Sequence, residues 1–151
     1  MIAVSSSRKF MLAIEAVAYI AYNSGADPVS SKEISENLGI QQRYLEHLMQ
    51  RFVHIGILRG IRGPRGGYVL AREKRKITLA DICDAMEEEC ESGNEETFGS
   101  SLGRQVIFPR MLEVQSQIND HLRQITLEEI CKLALEKAIP GRLKQHEDFI
   151  I

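Results

Sequence analysis

Only three of the 151 residues are cysteine, Cys83, Cys90 and Cys131, and no two of them form a C-x-x-C pair. That odd and dispersed set excludes a disulfide framework and fits a reducing compartment. No apolar run approaches the length that crosses a bilayer, and the N-terminus lacks the layout of a signal peptide. The expected location is therefore the cytoplasm, with no membrane partner. The four histidines show no metal-ligand spacing, since His47 and His54 are seven apart and His121 and His146 stand alone. The G-P-R-G-G run at 63–67 lacks the Lys-Ser/Thr that would make it a P-loop. No Ser or Cys stands with a base, and no carboxylates pair in a pocket the sequence implies, so nothing supports an enzyme.

What is present is a globular composition, 44% hydrophobic and 26% charged, with the length of one domain or a small domain plus an appendage. The net charge of −2 hides an asymmetry. Residues 1–76 hold 12 Lys/Arg against 6 Asp/Glu, whereas residues 77–151 hold 7 against 15. A basic front half suits a polyanionic partner, and an acidic back half does not.

In "SRKFMLAIEAVAYIAYN" (7–23), Phe10, Ile14, Val17, Ala18 and Ala21 share one helical face, predicting a first helix. "GADP" (25–28) breaks it. Ser30, with Glu33 three residues on, predicts a capping box that opens a short second helix, with Ile34, Leu38 and Ile40 facing inward and Gly39 as its stop. "QQRYLEHLMQRFVHIG" (41–56) predicts a third helix with Leu45, Leu48, Met49 and Phe52 inward and Gly56 just past its end. "ILR" (57–59) and "YVLA" (68–71) read as short strands. Short helix, Gly turn, longer helix, strand, loop, strand is the order of a winged helix-turn-helix. The expected fold is mainly α with a small β wing.

Further on, "ITLADICDAMEEE" (77–89) and "ITLEEICKLALEKA" (125–138) open with the same grammar, Thr78 with Asp81 and Thr126 with Glu129. These are two uses of one capping solution and not an internal repeat. The Gly/Ser-rich stretch 90–103 reads as a loop. Ile107, Met111, Val114, Ile118, Leu122 and Ile125 then follow at spacings of 4, 3, 4, 4 and 3, the seam of a helix that packs on another helix. Pro109 either occupies the first turn of that helix or kinks it. The expected organisation is a DNA-binding head at 1–76, a connecting helix and sensor-type loop at 77–105, a dimerisation helix and C-terminal helix at 106–139, and a flexible tail at 140–151.

The loop "IRGPRGGYVL" (61–70) is both bendable and cationic. Glycine lets a backbone approach phosphate without an intervening Cβ, and Pro64 stiffens the tip. Arg62 and Arg65 suit phosphates or a narrow minor groove. On the third helix, Gln41, Gln42, Arg43, Glu46, His47 and Gln50 are left near the outward face. Gln suits adenine, Arg suits guanine and Glu can accept from cytosine, so this face suits the major groove. Glu46 is also explicable as an ordinary solvated charge. Arg59, with Gly63, Gly66 and Gly67, joins this DNA-facing set.

The segments "ISENLGIQQRYLEHLMQRF", "GILRGIRGPRGGYVLA", "ITLADICDAMEE" and "ITLEEI" together resemble the Rrf-two family of winged-helix transcriptional regulators, the IscR, NsrR and CymR types. The similarity runs from about Val4 to Cys131, and the R-G-x-x-G-G-Y-x-L-A wing after Y-L-E-x-L is its most specific part. The resemblance implies a homodimer on double-stranded operator DNA, with 106–125 as the dimerisation element. It implies Arg43, Glu46 and Arg62 as base or groove readers, and Tyr44, Lys9 and Ser5–Ser7 as phosphate contacts.

Cluster-binding members of that family carry three cysteines in the loop before the dimer helix, and residues 91–105 have none. An iron–sulfur cluster normally takes four thiolates. The expectation is thus a cluster-free member without cofactor or metal, whose signal is a small molecule, a partner protein or thiol oxidation. Cys83, Met86 and Cys90 follow i, i+3, i+7 spacing, so packing explains Cys83, while Cys90 is the candidate redox sensor. Its neighbours Glu88, Glu89 and Glu91 oppose thiolate formation. Two other readings stay open at this point: a cluster held by Cys90 with non-cysteine ligands, and a winged-helix module that binds protein.

Overall fold

The computed structural model describes residues 8–25, 27–86 and 94–142. The first helix, α1 (Arg8–Asn23), buries Phe10, Val17 and Ala21 of the expected face and also Ala13, Ala16 and Ile20. The stripe is wider than the sequence pattern because α1 is packed from several sides, by the second, fourth and sixth helices. Its alanines let those neighbours approach closely.

The second helix, α2 (Ser31–Leu38), begins where Ser30 Oγ accepts the N–H of Glu33 at 3.2 Å. The reciprocal half of the expected capping box is missing. Glu33 turns its carboxylate instead to the Tyr19 hydroxyl, at 3.0 Å, and to Arg142. Gly39 ends α2 in the left-handed region at φ 66°, donating its N–H to the Ser35 carbonyl, a turn that an L side chain would strain. The chain then enters α3 (Gln42–His54), which buries Leu45, Leu48, Met49 and Phe52 as its 3.6-residue period demands.

Strands β1 (Leu58–Ile61) and β2 (Gly67–Leu70) pair antiparallel, with Leu58 opposite Leu70 and Ile61 opposite Gly67. Val29, from the turn before α2, adds a bridge that the strand pattern does not reveal. Its N–H donates to the Tyr68 carbonyl at 3.0 Å and its carbonyl accepts from Tyr68 at 2.8 Å. The wing is thereby stitched to the helix-turn-helix.

After a 3-10 turn at Lys74–Lys76 come α4 (Leu79–Met86), α5 (Phe108–Gln124) and α6 (Leu127–Glu136). The two related openings meet face to face. Leu79 N–H donates to the Ile125 carbonyl and Leu127 N–H to the Ile77 carbonyl, both at 2.9 Å, so Thr78 and Thr126 form an antiparallel bridge. Thr78 and Asp81 make a full capping box, whereas Thr126 accepts from Glu129 N–H alone. Helices α4 and α6 therefore start side by side from one hydrogen-bonded point. One hydrophobic core runs from Phe10 through Phe52, Ile57 and Ile77 to Leu127 and Cys131, so the boundary expected at 76/77 falls inside it. Each fully buried large apolar side chain there contributes roughly 1.5–3 kcal/mol.

Residues 94–103, expected as loop, carry structure of their own. A 3-10 turn at Glu95–Thr97 is closed by reciprocal Asn94–Thr97 hydrogen bonds. Helical structure begins at Ser101 and passes through a π-turn, Gly103–Ile107, before α5. Pro109 is the second residue of α5, where its ring would crowd the carbonyl four residues back, and the widened turn lies directly upstream. The residues 140–142, expected as the start of a flexible tail, are docked on α1, with the Tyr22 hydroxyl donating to the Ile139 carbonyl at 2.6 Å. Among the described residues no helix is long and apolar enough to cross a membrane.

Candidate nucleic-acid interface

The outward face of α3 follows from its inward one. With Leu45, Leu48, Met49 and Phe52 buried, Gln41, Gln42, Arg43, His47 and Gln50 are exposed and Tyr44 and Glu46 half-exposed. No side chain caps the α3 N-terminus, because Gln41 at the N-cap makes no such bond. Beside that terminus lies an open cleft lined by Arg8, Lys9, Leu12, Gly39, Gln41 and Tyr44. A helix N-terminus beside two cations favours anions. The cleft brings together Lys9 and Tyr44, two of the expected phosphate contacts, and adds Arg8, which the sequence reading passed over although it adjoins Lys9. Ser5–Ser7 lie outside the described residues.

Glu46 is held in place. Its Oε1 accepts from Ser31 Oγ and from Gln42 Nε2, both at 3.1 Å, and Gln42 Nε2 also donates to Ser31 Oγ at 3.1 Å. Ser31 was not a sequence-level candidate; no local signal ties the start of α2 to the middle of α3. Glu46 also lies close enough to the wing base to act on Tyr68, whose hydroxyl is pushed up first by burial and then by the Glu46 charge. The wing root and the outward face of α3 are thus neighbours.

The wing arginines, Arg59, Arg62 and Arg65, are exposed. Arg75, Lys76, Arg110 and Arg142 form ion pairs, and among the described residues none uses a wing arginine or Arg43. The wing glycines have reasons internal to the protein. A Cβ on Gly67 would sit 2.4 Å from the Val29 carbonyl oxygen, and one on Gly66 2.4 Å from the Ile61 oxygen. Gly63 has space around it but a φ of 118°. Close approach to a phosphate, the sequence-level reason for these glycines, is therefore not needed to account for them.

The expected helix–helix seam is divided. Leu122 and Ile125 pack against the chain's own core. Met111 and Ile118 are half-buried, while Ile107 and Val114 are 42% and 40% exposed. Val106 and Leu102, in the helical turns before α5, are exposed as well.

A helix-turn-helix bearing a two-stranded wing, with exposed Arg43 on the reading helix and Arg59, Arg62 and Arg65 on the wing, defines a winged-helix DNA-binding protein. Residues 6–133 match the model of the Rrf2 family, described as an iron-dependent transcriptional regulator, and the chain belongs to this family. The HTH-type transcriptional regulator IscR of Klebsiella pneumoniae (strain 342) is 30% identical over 137 residues, which cover 89% of this chain and 84% of that protein. The structure of T. potens IscR is similar with a TM-score of 0.71 at 32% identity, covering 89% of this chain and 90% of that one. The structure of CymR, the global cysteine regulator of B. subtilis, has a TM-score of 0.67 at 27% identity, covering 84% and 95%. The protein is a DNA-binding transcriptional regulator and not an enzyme.

The iron dependence in the family description raises the question of a metal centre. Cys83 and Cys131 are buried in the core, and burial pushes the Cys131 thiol up, against thiolate formation, with Lys74 pulling weakly the other way. Among the described residues no three His, Cys, Asp or Glu converge on a point that could hold a metal. Cys90, the candidate redox sensor, lies outside the described residues. Two of the three thiols are thus buried in the core, and the described donor set does not fit a thiolate-ligated cluster.

Proposed function

We propose that the protein is a cytoplasmic, sequence-specific regulator that binds a pseudo-palindromic operator as a homodimer and represses by occupying it, without an iron–sulfur cluster. The observation that carries this is the set of exposed cations, Arg43, Arg59, Arg62 and Arg65, without ion pairs among the described residues and presented on a core-backed head. Gln41, Gln42, Arg43, Glu46 and His47 of the reading helix meet base edges, and Arg8, Lys9 and Tyr44 grip phosphate beside the uncapped α3 N-terminus. Arg62 and Arg65 enter the minor groove or bridge phosphates. Ile107, Met111, Val114 and Ile118 meet their counterparts in a second copy. Two heads then sit about one helical turn apart, ~34 Å. The absence of cysteine from 91–105 supports a cluster-free sensor whose signal is a small molecule, a partner protein or oxidation of Cys90.

The test is an unbiased selection of genomic fragments by the purified protein, followed by a salt titration on the recovered site. A steep fall in affinity with salt is expected, because phosphate neutralisation releases counterions. Failure to enrich any fragment, with and without candidate signals, would remove the proposal. A visible absorption band in protein purified without oxygen would overturn its cluster-free part.

A further inference from the structure

The chain returns from the end of α6 to the beginning of the molecule. Arg142 N–H donates to Asn23 Oδ1 at 3.0 Å, and its guanidinium donates to the Asp27 and Pro28 carbonyls at 3.2 and 3.0 Å. The same guanidinium forks onto Glu33, Nε to Oε1 at 3.1 Å and a second, shorter bond to Oε2. Gly141 passes so close to Tyr22 that a Cβ would lie 2.7 Å from its ring. Asn23 is buried, and its Nδ2 donates to the Tyr19 carbonyl at 2.9 Å, so both ends of its amide are used. The hydrogen bonds of Arg142 thus reach acceptors on α1, on the turn before α2 and in the first turn of α2.

That first turn also carries Ser31, which holds Glu46 and Gln42 of the reading helix. Glu33 and Ser31 are two residues apart on one turn. Anchoring Glu33 anchors the turn, and the turn sets where Ser31 meets Glu46. We propose that Arg142 is a positioning residue for DNA reading, acting through Glu33 and Ser31 on Gln42 and Glu46 although it contacts none of the DNA-facing residues. This rests on the reading of α3 as the base-contacting helix. A bidentate Arg–carboxylate pair supplies the geometric definition that such a role needs. The two neighbouring carbonyls make lysine a poor substitute, since an ammonium cannot match a planar fork.

The experiment compares the full-length wild-type protein with Arg142→Ala, Arg142→Lys and Glu33→Gln, and uses Arg62→Ala as the contrast. Two quantities are measured: affinity for the selected fragment across a salt series, and backbone amide hydrogen exchange without DNA. Arg142→Ala is expected to weaken binding about tenfold, a change of ~1.4 kcal/mol, with the salt slope unchanged because no phosphate contact is lost. Exchange should quicken in α2 and the first half of α3 and stay unchanged in α4 and α6. Glu33→Gln should move both readouts the same way by less, and Arg142→Lys should fall between wild type and alanine. Arg62→Ala should lower the salt slope by about one and leave exchange alone. The proposal is overturned if Arg142→Ala keeps wild-type affinity and exchange, if it lowers the salt slope as Arg62→Ala does, or if exchange rises equally in every helix. Should Arg142→Ala not fold, Glu33→Gln decides by the same criteria. A wild-type protein that binds no fragment refutes the proposed function, and unchanged exchange in the variants refutes the strap independently.

Discussion

Helices α3 and α5 are both amphipathic, yet only α3 buries its apolar side chains within the described residues. Thirteen-residue α3 buries four apolar side chains and shows the solvent polar ones. Seventeen-residue α5 buries only Gln115, whose Oε1 has no hydrogen-bond partner, while Leu112 and Val114 stay exposed. The outward face of α3 needs nothing more to be soluble and is available to read a polyanion. α5 leaves apolar surface that water solvates poorly, which is what the proposed dimer would cover. The outward surface of the head is polar and rests on a finished core, whereas α5 presents apolar side chains, the face proposed above to meet a second copy.

The sharpest way to break the head side of this contrast is at the wing root. Gly67→Val forces a side chain onto the Val29 carbonyl and is expected to destabilise the protein by about 3 kcal/mol in urea unfolding. Gly60→Ala, with nothing within 4 Å, should cost less than about 0.5 kcal/mol. Equal effects would mean that the wing is not clamped to the helix-turn-helix. On the back, Val114→Glu should weaken self-association about 100-fold, ~2.7 kcal/mol, and leave helical content intact, since Val114 is exposed in the protomer. Ile118→Glu should do the same, and variants that still sediment as dimers would reassign the interface. A smaller loss, about tenfold in operator affinity, is expected for Arg62→Ala, and unchanged binding at moderate salt would take the wing out of DNA recognition.

The smallest effect concerns pH. The Tyr19 hydroxyl is pushed up to about 12, first by burial and then by the hydrogen bond and charge of Glu33, with Arg142 opposing. A raised value in the folded state means a stabilising contribution that is whole below about pH 10, the ordinary tyrosine value, and is lost as pH climbs towards about 12. Melting temperature should therefore fall over that range more steeply in the wild type than in Tyr19→Phe. Parallel curves would show that Tyr19 is not tied to the strap.

Local pattern made much of this legible. The quartet Leu45, Leu48, Met49 and Phe52, the Gly39 turn and the Thr78 and Thr126 caps all depend on residues within a turn or two of each other. The outward residues of α3, proposed to face DNA, were legible for the same reason, being what remains once the inward stripe is assigned. Glu33 misled because its three-residue spacing from Ser30 is also that of a capping box, and a guanidinium 109 positions away competed for its carboxylate and won. Leu122 and Ile125 misled likewise, since a heptad-like seam does not say whether its partner is another chain or the chain's own core.

By itself, then, the sequence determined the order and faces of the helices, the place of the wing and the cationic surface, because each arises from contacts a few residues long. Tertiary structure alone decided that Val29 stitches the wing to the head, that the two Thr-capped openings pair, and that Arg142 returns to grip α2. Those are meetings of segments far apart in the chain, selected by the packing of the whole and invisible to any short-range pattern.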